Sequence, residues 1–307
     1  MRLLTVSGKT FTDLSDPKLL AAYFAPFVTV AGFFGIAMTD GAVEMSGAQA
    51  PLVRQEIELF STFALISYFW VGLWLLALTC VLCANTLAKE AEQGTLQILL
   101  TKPVSRWQVL LGNFLAIVGF ATFVGLASLL VWASVLFSMS GLSAAAIPGG
   151  IGAAFVSSAT FLLFATAVVT AVGMLVAVVT KSRLRTALGT LLFPILYFAY
   201  FPIRIFSGEY YEDYALYLLD VNYHFGNAFV VVHELVGGEL PVETQALLSL
   251  WSGVYETPAG GPNLDQQLPD TLELTGHVPP ELSVALLSAL ALVSLSAAVY
   301  RFGRMDI

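Results

Sequence analysis

Charge is scarce in this sequence. Of 307 residues only 11% are Asp, Glu, Lys or Arg, where a water-soluble domain carries about 25%. Cysteine is scarcer: Cys80 and Cys83 stand alone in one apolar stretch, so there is no disulfide framework and no information about redox compartment. Packing is the expected role of both thiols, since two sulfurs without a nearby histidine make half a metal site. The three histidines, His224, His233 and His277, all lie in the last third of the chain and are expected to be solvated or structural. The GxxxxGK[ST] phosphate loop is missing: Gly8-Lys9-Thr10 imitates its end, but Leu3 stands where its first glycine belongs. What is abundant is apolar, at 58% of residues and a mean hydropathy of +0.83. These features exclude a large soluble catalytic domain and predict an all-α polytopic membrane protein that does not hydrolyse ATP by itself.

Charge-free runs locate the spans, because a bilayer core of about 30 Å needs roughly 20 helical residues and penalises each ionised group. The runs are Leu19 to Thr39, Leu59 to Ala88, Trp107 to Thr180, Thr186 to Ile203 and Leu282 to Tyr300. The third is too long for one helix. Ser138-Met139-Ser140-Gly141 and Pro148-Gly149-Gly150 divide it, which makes six predicted spans. Six spans return both termini to one side, and eleven of the thirteen basic residues then fall on that side against five of the twenty-one acids. The positive-inside rule makes it cytoplasmic, and the chain a multi-pass protein of the cell membrane. Arg54 and Arg204 are the exceptions; Arg204 is expected to snorkel to the outer headgroups. Pro194 and Pro202 should interrupt the fifth span.

The predicted organisation has four parts. Residues 1–18 form a short interfacial helix with Leu4, Phe11 and Leu14 on one stripe, in preference to a cleavable leader. Residues 19–206 hold five spans and the loop 85–106, residues 207–281 an acidic extracytoplasmic segment, and residues 282–307 the sixth span and tail. In the extracytoplasmic segment the aromatics from Tyr210 to Phe229 predict amphipathic helices at the outer interface, with another near 244–255 and an irregular Pro- and Gly-rich loop after it.

The loop between the second and third spans carries the most information. Glu90 and Glu92 suit the start of a short amphipathic helix, Leu96, Leu99 and Leu100 share one face of it, and Lys102-Pro103 ends it. Ser105 and Gln108 then make a capping box for the third span, with Arg106 and Trp107 as interface anchors. The pattern Glu90, Glu92, Gly94, Thr95, Leu96, followed by Leu99, Leu100, Pro103, Val104, Ser105, Arg106 and by Leu111-Gly112, resembles the first cytoplasmic loop of ATP-binding-cassette permeases of the type 2 family. The tight basic turn from Lys181 to Arg185 and the tail Arg301 to Asp306 extend the resemblance, while Asn113 stands where a basic residue is common.

The resemblance implies the membrane subunit of an ATP-driven exporter, with no cofactor in this chain and ATP and Mg bound by a separate ATPase. It implies that Glu90, Glu92, Gly94, Thr95, Leu96, Leu99, Leu100, Pro103, Ser105 and Arg106 form a coupling helix docked on that ATPase. Expected partners are that ATPase, a second permease copy as a homodimer or pseudo-symmetric heterodimer, and membrane lipid, with an extracytoplasmic protein at 207–281 possible and no nucleic acid. Two alternatives stand beside the exporter: an ATP-driven mechanotransmitter that moves an outer partner, and an ion-coupled carrier without an ATPase. The carrier is disfavoured because the charge-free runs hold no acid, histidine or arginine to bind the coupling ion. Gly, Ser and Thr from Gly119 to Gly173 read first as close helix packing, second as a mildly polar pathway.

Overall fold

Because a bilayer offers no hydrogen bonds to the backbone, a chain this apolar must satisfy its peptide groups inside helices. The computed structural model describes residues 2–45, 62–94, 104–139, 152–236, 240–256 and 271–304. Its elements are α1 (Arg2–Leu14), α2 (Pro17–Met45), α3 (Thr62–Glu92), α4 (Arg106–Met139), α5 (Ala153–Thr180), α6 (Arg183–Ala199), α7 (Phe201–Phe206), α8 (Gly208–Asp213), α9 (Val221–Val236), α10 (Val242–Trp251) and α11 (Pro280–Gly303). Among the described residues the only β pairing is a single antiparallel bridge between Tyr255 and Leu274. Among the described residues five helices are long and apolar enough to cross a membrane: α3, α4, α5, α6 continued through α7, and α11. The apolar part of α2 described in full, Pro17–Phe33, is shorter. The 74-residue run does divide in two, with α4 ending at Met139 and α5 beginning at Ala153.

Helix α5 is the axle of the bundle. It packs against α3, α4, α6, α9 and α11, and 61% of its most apolar window is buried against 22% in α6 and α11. Close approach explains part of this. A side chain at Gly173 would put its Cβ 2.5 Å from the Cys83 sulfur, so α5 and α3 cross there only because residue 173 has none. Cys80 donates to the Thr190 carbonyl at 3.2 Å, and both thiols are buried. Small polar residues are tolerated inside because they bond back along their own helix: Thr79 to the Leu75 carbonyl, Ser128 to that of Val124, Thr190 to that of Thr186. Gly119 and Thr160 instead face outward.

Three expectations need correction. First, α9 does not lie on the outer surface. Asn222, His224, Asn227 and His233 are buried, and the helix packs on α5 and α11. Its polar residues are matched inside the protein: His224 Nδ1 and the Asn227 amide both bond Ser283 of α11, at 3.0 and 2.8 Å, and Tyr68 of α3 donates to Asn222 at 2.7 Å. Second, Arg204 does not snorkel. Its side chain is 8% exposed and pairs with the fully buried Asp220 at 2.7 Å. Third, no continuous helix runs from Glu90 through the leucines. Gly94 takes φ 72°, a left-handed conformation that stops the helix and that glycine adopts without steric cost.

The bundle thus has two differently built ends. At one, the terminus end, meet α1, the last turn of α3, the first of α4, the α5–α6 connection and the close of α11. At the other, the cap end, lie α7 to α10 and the residues around the Tyr255 bridge.

Candidate functional site

The terminus end gathers the described part of the loop. Before reaching it, α3 widens into a π-helical turn over Ala84–Ala88, where Thr86 leaves helical geometry (φ −104°, ψ −115°) and its hydroxyl bonds the Cys83 carbonyl at 3.0 Å. Such a turn bends a helix, so the following segment Lys89–Glu92 is aimed away from the axis of the span. The charge-free run ends at Ala88, and Lys89–Glu92 lies beyond it.

Three charged residues of the loop each reach a different helix. Glu90 lies 4.0 Å from Lys9 of α1. Glu92 Oε2 accepts the Arg183 N–H, the first in α6, at 2.8 Å. Arg106 donates to the Phe302 and Gly303 carbonyls at the end of α11, at 3.4 and 3.2 Å. Burial pushes the Glu90 carboxyl up from its ordinary value, the nearby Lys9 pulling it back. Between the end of α3 and the start of α6 a recess of about 300 Å³ opens, lined by Val81, Ala84, Asn85, Glu92, Arg183, Leu184 and Ala187.

Helix α1 completes the junction. Phe11 meets Phe120 of α4 edge-on with ring centroids 5.3 Å apart, Leu14 is buried, and Thr10 donates to the buried Asn113 at 2.7 Å. Leu4, expected on the same stripe, is 70% exposed. Asn113 therefore takes a hydroxyl from α1. At the start of α4, Gln108 accepts the Ser105 N–H at 3.2 Å, the returning half of the capping box.

At the cap end the organising residue is Asp220. Its Oδ1 accepts the N–H groups of Asn222 and Tyr223, which caps α9, while Oδ2 takes Arg204 and the Tyr211 hydroxyl at 2.9 Å. Arg204 also donates to the carbonyls of Trp251 and Ser252. A pocket of about 270 Å³ opens here, bounded by Arg204, Tyr211, Glu212, Tyr255, Glu256 and His277. His277 stacks on Tyr217 with centroids 4.7 Å apart. The three histidines are thus separated: His224 on Ser283, His233 on the Phe229 carbonyl, His277 on an aromatic face.

Of the residues singled out in the loop, Glu90, Glu92 and Arg106 each bind a different helix at the terminus end, Ser105 stands next to Arg106, and Gly94 serves as the helix stop. Thr95, Leu96, Leu99, Leu100 and Pro103 lie outside the described residues. Lys9, Thr10 and Arg183 were not singled out as partners of the loop, because nothing in local pattern relates them to it. Asp220 left a legible signal, an aspartate directly before an apolar helix.

A bundle of long apolar helices with a charged loop junction at one end is the setting in which the comparisons with known proteins take their meaning. Among curated proteins no match was found. The profile described as ABC-2 family transporter protein matches residues 19–307, which leaves out only α1, the turn after it and the first two residues of α2. Members of that family are membrane components without the ATPase, pair with an ABC ATPase and normally bind no cofactor. The match covers the bundle, the loop and the cap alike, and so the chain is a multi-pass membrane protein that belongs to the ABC-2 family, as the membrane permease of an ABC transporter.

Proposed function

We propose that this chain is the membrane half of an ATP-driven exporter with six spans, α2 being the first, and both termini cytoplasmic. A separate ATPase docks on the loop 85–106, and closure of the ATPase pair pushes this loop and tilts α3 and α4 in an alternating-access cycle. The observation that carries the reading is the junction itself. One short loop, offset from its span by the bend at Thr86, touches α1, α6 and α11, so a push on it reaches most of the bundle. The docking surface lies on the coupling element between Glu90 and Arg106 and is centred on Leu96, Leu99 and Leu100. A second copy pairs with the outward stripe Leu184, Leu188, Leu192 and Ile195 of α6, each more than half exposed.

One observation favours a mechanotransmitter as second reading. Phe206, Tyr210 and Tyr214 are strongly exposed at the cap, the two tyrosines stacked with centroids 6.1 Å apart, and such a patch suits a protein partner as well as headgroups.

Purification of the tagged chain from its native membrane, with mass spectrometry and an ATPase assay, tests both. A soluble ATPase recovered in equal amount supports the permease reading, and an extracytoplasmic protein recovered with it favours the second. The chain alone, without ATPase activity, overturns both in favour of an ion-coupled carrier.

A further inference from the structure

The charged residues of the loop invite the assumption that they meet the ATPase, yet two of them are spent inside the chain. A helix begins with N–H groups and ends with carbonyls that have no partner along its own axis, and its dipole favours an anion at the start and a cation at the finish. Helix α6 begins after Ser182, whose side chain caps nothing. The missing acceptor comes from α3: Glu92 takes the Arg183 N–H. Helix α11 finishes with the carbonyls of Phe302 and Gly303 turned toward the first residue of α4, and Arg106 donates to both. Acid thus meets a helix start and base a helix end, at opposite ends of one loop.

We infer that Glu92 and Arg106 are positioning residues that tie the loop to α6 and α11, two long helices it is not covalently joined to, so that its displacement moves four helices instead of two. The inference deepens the coupling reading above and rests on it. The connection from α5 to α6 is only Lys181-Ser182, with Lys181 in a left-handed conformation, so the tie through Glu92 also reaches the central helix α5. The surface left for the ATPase is the remainder of the loop. Thr180 and Thr186 share a hydroxyl bond of 2.8 Å across the α5–α6 turn, within that hairpin and not to the loop.

The test uses the complete permease with its copurified ATPase in lipid nanodiscs, comparing wild type, Glu92→Ala, Glu92→Gln and Arg106→Ala. The ATPase should be retained in all four within about twofold. Amide exchange over residues 183–186 should accelerate at least about fivefold in Glu92→Ala and stay near wild type in Arg106→Ala. Permease-stimulated ATP turnover should fall at least about fivefold in both alanine variants, with Glu92→Gln, which keeps an acceptor oxygen, recovering part of it. Loss of the ATPase from Glu92→Ala would overturn the inference by making Glu92 a docking residue, as would unchanged exchange and turnover. A wild-type chain that retains no ATPase would overturn the coupling reading itself, whereas the exchange measurement on that same chain still decides whether Glu92 holds α6.

Discussion

The two ends of this bundle solve opposite problems with the same residue types. At the cap, Arg204 and Asp220 form a pair whose side chains are 8% and 0% exposed, with three further donors on the carboxylate. At the terminus end, Lys9 and Glu90 approach to 4.0 Å with side chains 57% and 26% exposed. A buried pair fixes one geometry, because removing either partner strands a charge away from water. An exposed pair holds weakly and lets go cheaply. The cap is therefore held in one geometry, while the contact of Glu90 with α1 is one that can be released.

The comparison can be broken most directly at the cap. Arg204→Met or Asp220→Asn should each cost about 3–5 kcal/mol, read as a lowered midpoint of thermal unfolding in detergent, while Arg204→Met with Asp220→Leu should recover most of the loss. Singles that unfold like wild type would show that the pair does not hold the cap. The next effect belongs to the middle of the bundle. Gly173→Ala should cost about 1–3 kcal/mol by overpacking against Cys83, and Cys83→Ala in the same chain should relieve it; no relief would locate the strain elsewhere.

The smallest effect sharpens the contrast at the junction. Glu90 is held above its ordinary carboxyl range by burial, so the folded state binds its proton more tightly than the unfolded chain. Its contribution is fully present below the unfolded value and is lost as pH rises through the folded one. Glu90→Gln should then match wild type at pH 4 and unfold slightly higher at pH 7, by less than about 1 kcal/mol. A Gln variant less stable than wild type at pH 7 would mean that the contact with Lys9 outweighs burial.

How much of this was legible in the sequence depended on range. The division of the long apolar run followed from Ser138 to Gly150, and the capping of α4 from Ser105 and Gln108, because those signals act over a few residues. Helix α9 shows how local pattern misleads. Asn222, His224, Asn227 and His233 make it look amphipathic and therefore superficial, yet its polar groups are answered by Tyr68, Ser283 and its own backbone. Polar matching across 56 to 154 positions leaves no local trace. Arg204 was misread in the same way, since only the fold brings Asp220 beneath it. The loop was legible as a pattern, but the helices that Glu92 and Arg106 touch were not.

The connection between α5 and α6 bears on how the protein is made. A two-residue link reaches at most about 7 Å, less than a quarter of the thickness of a bilayer core of about 30 Å. Neither helix has slack to wait for the other, so α5 and α6 enter a membrane as one hairpin, and a tip crowded with Lys181, Arg183 and Arg185 is costly to carry across it.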